Sequence, residues 1–222
     1  EAKIFDCFGG TGCVSRSLLN TFKNVSNCDI NYYAHILCYC RLKIAKSVDI
    51  SDTVKELNTL EPIVGFITKY YSPEANRKYF TVENAMKIDA IRTKIETLYK
   101  EGNVSHDQYI LLLGNLIESV SRFSNIPGTY GAFNENWDTR AIKPFVLEEH
   151  IELGECTGEH SYHGDTKQYV MSGDFDVLYM DPPYNQRNYA SYYHVLEMVA
   201  KYDESIEIKD NKTGTPTSVV GS

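Results

Sequence analysis

The sequence predicts an α/β fold in which a parallel sheet is interrupted by a long, mostly helical insertion. Three observations carry this. An apolar strand runs into a glycine-rich bend near the start of the chain. Sheet-like signals vanish between about residues 51 and 144. A later strand stops at the run Asp181-Pro182-Pro183-Tyr184.

The opening motif is Ile4-Phe5-Asp6-Cys7-Phe8-Gly9-Gly10-Thr11-Gly12. Glycines are needed where the backbone takes positive φ or approaches a ligand closely. Val14, Leu18, Leu19 and Phe22 then recur with helical spacing up to Lys23. Val25 to Cys28 reads as a second strand closed by Asp29, with a helix from Asn31. Strand, glycine turn, helix and acid-terminated strand make the first half of a nucleotide-binding sheet, with the acid placed for ribose hydroxyls. The spacing G-x-G-x-x-G is only partly met, because Ser15 stands where a third glycine belongs. That disfavours a pyrophosphate, which wants a helix N-terminus packed against it. Taken alone, the motif leaves a nicotinamide cofactor and another adenosyl cofactor both open.

In the insertion, Ile88, Ile91, Ile95 and Leu98 have helical spacing, as do Leu112, Leu113, Leu116, Ile117 and Val120. The helix starts fall at Thr81, with Asn84 in the first turn, and at Ser105. Asn125 to Trp137 is rich in Gly, Asn and Pro and reads as a loop. From Phe66 to Lys100 seven basic residues stand against four acidic ones, among the aromatics Tyr70, Tyr71, Tyr79 and Phe80. Such interleaving suits a nucleic-acid surface, and it equally suits a solvated helix face over core aromatics. Sheet signals return from about Phe145. The expected division is therefore a catalytic domain of residues 1–50 and 145–222 around an insertion of residues 51–144.

Asp176 to Met180 reads as a buried strand. The two prolines after it cannot donate to a ladder and hold φ near −65°. They present Asp181, the Pro182 carbonyl and the Tyr184 ring together. Two acceptors beside an aromatic plate suit a flat base with an exocyclic amino group; a packed Asp-Pro turn is the structural alternative.

The two motifs in this order resemble the D12 class (Dam-like) N6-adenine-specific DNA methyltransferases. Phe8-x-Gly10-x-Gly12 is similar to that family's F-x-G-x-G, and Asp181 to Tyr184 to its D-P-P-Y. The likeness extends to Asn185-Gln186-Arg187-Asn188-Tyr189, the Tyr192 to Ala200 helix, Arg77-Lys78-Tyr79-Phe80-Thr81 and Thr129-Tyr130-Gly131-Ala132-Phe133. The resemblance implies a Rossmann-like S-adenosylmethionine-dependent sheet, a helical target-recognition insertion and methyl transfer to N6 of a flipped-out adenine in double-stranded DNA, within a restriction-modification system. It implies catalytic roles for Asp181, Pro182, Pro183 and Tyr184, and cofactor contacts at Asp6, Phe8, Gly10, Gly12 and Asp29. DNA contacts fall to Arg77, Lys78 and Arg187, and no metal is called for. A further acid for the cofactor adenine comes from Gly164-Asp165 or Gly173-Asp174. Asp174 precedes the last strand and lies roughly 20 Å from Asp181 at ~3.3 Å per residue. Ligands of parallel sheets bind at the carboxyl ends of strands, so Asp165, after Ser161 to His163, is chosen.

Composition bounds these expectations. With 222 residues, 42% hydrophobic, the chain can bury one core and a lobe beside it. No apolar run approaches the ~20 residues of a membrane span and no signal peptide opens the chain, so a cytoplasmic location is expected. The six cysteines lack zinc spacing and suit reduced core thiols; Cys156, His160 and His163 lack a fourth ligand. A net charge of −8 is awkward for DNA, though one basic face suffices. The family sheet has seven strands and only four are placed here, so a longer polypeptide or a second chain is expected to complete it. The alternatives are an incomplete recognition or assembly subunit, and a cytosine-N4 or RNA guanine-N2 methyltransferase.

Overall fold

The computed structural model describes residues 2–155, 157–182 and 189–217. Among them run four strands, β1 (Lys3–Asp6), β2 (Asn24–Asp29), β3 (Ser161–His163) and β4 (Val177–Tyr179). They form one parallel sheet in the order β3-β2-β1-β4. Central β1 sets Asp6 opposite Asn27 on one side and Tyr179 on the other. Because all strands point the same way, the residues that close them line one edge.

The chain divides into two compact units. One comprises residues 1–50, 105–114 and 151–184; the other comprises 51–104, 115–150 and 185–222. The boundaries thus differ from a contiguous 51–144 insertion.

In the first unit β1 is followed by α1 (Cys13–Leu18), and β2 by α2 (Tyr32–Lys43). Ile4, Leu19, Val25 and Leu42 form one core cluster, and Phe5 stacks on Phe175 with ring centroids 4.5 Å apart. Seven residues of α2, from Tyr33 to Leu42, are buried. A helix apolar on so much of its surface is covered on several sides. Residues 105–114 supply part of that cover: the Cys40 thiol donates to the Ile110 carbonyl and the Tyr39 hydroxyl to Asp107. This is why 105–114 joins the sheet unit. The expected burial of the last strand is corrected. Val177, Leu178 and Tyr179 are 48%, 37% and 39% exposed, since among the described residues β4 pairs on one side only.

The second unit is helical. It contains α3 (Ser51–Asn58), α4 (Phe66–Tyr71), α5 (Val82–Lys100), the later part of α6 (His106–Arg122), and two helices near the end of the chain. In chain order these last are labelled α8 (Tyr189–Tyr192) and α9 (His194–Lys201), after α7 (Thr166–Ser172) of the sheet unit. The Thr81 hydroxyl accepts the Asn84 N–H and caps α5, whose Ile88, Ile91, Ile95 and Leu98 are buried. Ser105 and Gln108 bond reciprocally at the start of α6. The Arg92 guanidinium donates to the Val199 and Ala200 carbonyls, satisfying the end of α9. That contact explains why the segment after the D-P-P-Y run belongs with the helices rather than with the sheet.

The sheet also resumes later than expected, at Ser161 rather than Phe145. Phe145 and Leu147 are buried without a ladder, because side chains replace the neighbouring strand. Asn58 both donates to the Leu147 carbonyl and accepts its N–H, and Asn84 accepts the Phe145 N–H.

Asp89 is the polar centre of this unit. It is fully buried and accepts from the main chain of Gly65, Ile67 and Thr68 and from the hydroxyls of Thr68 and Tyr202. Its carboxylate thereby satisfies the orphan N–H groups that open α4. Asp89→Ala strands these donors, and the chain should lose about 3–5 kcal/mol of stability in urea titrations. An unchanged midpoint would show that water replaces the carboxylate.

Candidate active site

The carboxyl edge of the sheet is built around the glycine bend. Gly10 and Gly12 take φ of +54° and +80°. Gly12 is also pressed on α2: a Cβ there would lie 2.9 Å from the Cys38 Cα. Gly10 faces the other way, and a Cβ on it would meet nothing nearer than the Phe8 carbonyl at 3.9 Å. The bend is tied to the strands by the Cys7 N–H on the Tyr179 carbonyl, the Gly9 N–H on the Cys28 carbonyl and the Gly10 N–H on Asp29 Oδ2 at 2.9 Å.

Four carboxylates follow the four strands at this edge. Asp6 closes β1 and is 1% exposed. The Ser15 hydroxyl donates to it at 2.7 Å, and the Asn27 amide donates to Ser15 at 3.0 Å. Burial pushes the Asp6 carboxyl above the usual range. The Ser15 hydroxyl and the Phe8 N–H pull it back in part, and the charge of Asp181 raises it further. Ser15 is the residue whose role the sequence conceals. It replaces the expected third glycine, and its hydroxyl makes a buried acid tolerable.

Asp29 closes β2, is half-buried, and accepts the N–H groups of Gly10 and Asn31. Asp165 follows β3 and caps α7 through the Lys167 N–H; the Gly164 N–H donates to the Asp29 carbonyl, joining the two strand exits. Asp174 lies at the opposite edge, 2.9 Å from Lys3 at the start of β1. Asp181 and Pro182 leave β4 exposed. Pro183, Tyr184, Arg187 and Cys156 lie outside the described residues. Phe8 and Ile30 are 39% and 50% exposed and give this edge apolar surface. Among the described residues no cluster of His, Cys, Asp and Glu is placed to hold a metal ion.

A row of rings flanks the exits of β2 and β3. His163 packs on Tyr32 and His35, His35 on Tyr39, and Tyr39 on His106. Burial, and then the neighbouring His163, push His35 down to about 4.

The expected DNA-facing residues are placed differently in the second unit. Arg77 is corrected to an interior residue, 6% exposed, whose guanidinium donates to the carbonyls of Tyr70, Lys209 and Asn211. Tyr71, Tyr79 and Phe80 are fully buried, and Arg92 is 3% exposed. Three of the four interleaved aromatics and two of the seven basic residues are therefore core. Lys78 remains half-exposed and donates to the Glu135 carbonyl.

Residues 1–217 match the family described as D12 class N6 adenine-specific DNA methyltransferase. The chain is 35% identical over 207 residues to type II methyltransferase M.NlaIII of Neisseria lactamica, covering 91% of this chain and 62% of that protein. It is 36% identical over 212 residues to modification methylase LlaI of Lactococcus lactis subsp. lactis, covering 89% and 34%. Type II methyltransferase M.CviAII of Paramecium bursaria Chlorella virus 1 is 32% identical over 219 residues, covering 96% and 64%. The chain thus spans from a third to under two thirds of the length of these relatives. No solved structure matches. No helix of the described residues is long and apolar enough to cross a membrane.

The ring row yields a pH prediction. Unfolded His35 binds its proton near 6.5 and folded His35 near 4. Between these values the unfolded chain holds more protons, so the contribution is whole above about 6.5 and is lost as pH falls toward 4. His35→Gln should flatten stability against pH in that window by on the order of 2 kcal/mol. Urea midpoints measured across the window decide it, and a variant curve parallel to the parent's refutes the assignment.

Proposed function

The chain belongs to the D12 class of N6-adenine-specific DNA methyltransferases, and on that premise we propose that the protein moves a methyl group from S-adenosylmethionine to N6 of adenine in DNA, as the modification enzyme of a restriction-modification system. The observation that carries this is the convergence of an open glycine, apolar surface and four carboxylates on one edge of a four-stranded parallel sheet.

The edge fits the cofactor. The open side of Gly10 lets a ligand approach the main chain, and Phe8 and Ile30 give a purine apolar surface. In this proposal Asp29 takes the ribose hydroxyls and Asp165 the adenine amino group. The acidic surround also suits a cation, and S-adenosylmethionine brings its methyl group on a positively charged sulfonium. Asp6 and Gly12 act one step back: Asp6 fixes α1 through Ser15, and Gly12 lets the bend sit on α2.

The adenine amine is a poor nucleophile because its lone pair is delocalised into the ring. The Asp181 carboxylate and the Pro182 carbonyl accept its two N–H bonds, localise the lone pair and face the positive charge that develops on nitrogen. The base reaches them only when flipped from the duplex. Tyr184 is the proposed stacking partner, worth ~1–3 kcal/mol, and Pro183 holds the turn. The second unit is proposed to recognise the target, with Lys78 and Arg187 as phosphate contacts.

Asp29→Ala should weaken cofactor binding by about 1.5–3 kcal/mol in calorimetry; unchanged affinity with the fold intact removes the ribose assignment. Asp181→Ala should retain cofactor and DNA binding and lose nearly all transfer of labelled methyl groups to adenine-containing duplexes, because its bond strengthens only as charge develops. Label found on cytosine or on RNA changes the substrate class. If the full-length parent labels no nucleic acid, the enzymatic proposal falls.

A further inference from the structure

We propose that the turn Lys209–Thr215 grips a phosphodiester of the DNA backbone, with Lys212 as its cation; this rests on the DNA-methyltransferase function proposed above. With Arg77 buried, one expected phosphate contact of the helical unit is lost, and this turn is built differently from an ordinary surface loop.

Its carbonyls are drawn inward by buried groups. Arg77 donates to the Lys209 and Asn211 carbonyls, the latter at 2.8 Å. The Tyr71 hydroxyl donates to the Gly214 carbonyl at 3.1 Å, and His194 Nε2 lies 2.9 Å from the Thr213 carbonyl. The Tyr79 hydroxyl, shared with the Tyr130 carbonyl, also lies 3.2 Å from the Thr213 carbonyl. All four side chains are at most 6% exposed. Within the turn Asn211 Oδ1 accepts the Gly214 and Thr215 N–H groups, and Gly214 takes a φ of +65°. The exposed turn is therefore fixed from beneath.

The peptide geometry sets what it shows to solvent. None of the described peptide bonds is cis, so each N–H points opposite to the preceding carbonyl. With the Asn211 carbonyl turned toward Arg77, the Lys212 N–H points away from that guanidinium, and the Lys212 side chain is exposed. Lys212 Nζ sits 5.8 Å from the centre of the Phe133 ring, and Lys78 Nζ donates to the Glu135 carbonyl. Two cations from separate segments thus converge on residues 133–135. Phe133 is itself packed edge-on against buried Tyr79 at 5.1 Å, so the platform is rigid. The exposed carboxylates of Asp210 and Glu135 stand beside it. Their charge opposes an anion, so the grip on phosphate comes from the Lys212 N–H and the two lysine ammonium groups. A main-chain N–H beside a lysine offers a phosphate oxygen a directed donor and a charge, and phosphate contacts of this kind position DNA without reading its sequence.

The test uses the full-length protein, its Lys212→Ala and Lys212→Gln variants, and mixed-sequence duplexes titrated by fluorescence anisotropy over a range of salt. Each variant should lower the slope of log affinity against log salt by ~0.9, equivalent to about an eightfold loss at ~0.1 M salt relative to 1 M. Cofactor affinity and thermal midpoint should match the parent, because the side chain is exposed. A parent that binds duplex, with variants of identical slope, overturns the inference and leaves the methyltransferase proposal standing. A loss of affinity without a change of slope overturns it too, because it would not be electrostatic. A parent that binds no duplex at all sinks both.

Discussion

The parallel register of β1 is the constraint on which the rest of this protein depends. Asp6 stands opposite Asn27 and Tyr179, so every chain segment leaving the sheet leaves from one edge. A strand reversed on either side would send its terminal acid to the edge where Lys3 and Asp174 pair. The edge then gathers the carboxylates of Asp6, Asp29, Asp165 and Asp181. Asp6, whose burial penalises its charge, is held by its bond from Ser15. Asp29 is held by accepting main-chain N–H groups. Both arrangements commit hydrogen-bond donors to acids at this edge.

The parts of the fold legible in the sequence were those with a strong local signature. Glycines that must adopt positive φ, apolar residues at helical spacing in α5 and α6 and the Thr81 and Ser105 starts depend on neighbours within one turn, and the structure carries them as expected; the helix expected to reach Lys23 ends at Leu18. The choice of Asp165 over Asp174 needed only the rule that ligands sit at the carboxyl ends of strands. What stayed hidden depends on partners far along the chain. Arg77 reads as a surface cation until Lys209 and Asn211, more than a hundred residues away, take up its guanidinium. The aromatics around it have the same spacing whether they stack on bases or on one another. Segment 145–150 has the composition of a strand, and only the three-dimensional position of Asn58 and Asn84 shows that side chains stand in for its neighbour.

The two units also differ in how they use buried polarity. In the sheet unit buried polar groups sit close beneath the proposed ligand site and hold its shape. In the helical unit Asp89, Arg77 and Asn125 are fully or nearly fully buried and bond main-chain groups of distant segments. Such bonds are costly to leave unmade. They give a unit of short helices and long connections one arrangement that a purely apolar core would not specify.

The thiols beneath the glycine bend have a practical corollary. Cys7, Cys28, Cys38 and Cys40 are buried, and burial lifts Cys28 to about 12 and Cys38 well above the ordinary thiol value. The thiolate is the reactive form, so near neutrality Cys7, Cys28 and Cys38 offer little of it to a maleimide. Cys13 is exposed among the described cysteines and opens α1 directly after Gly12. A dye coupled there would sit beside the bend without altering any acid, turning ligand occupancy of the sheet edge into an optical signal.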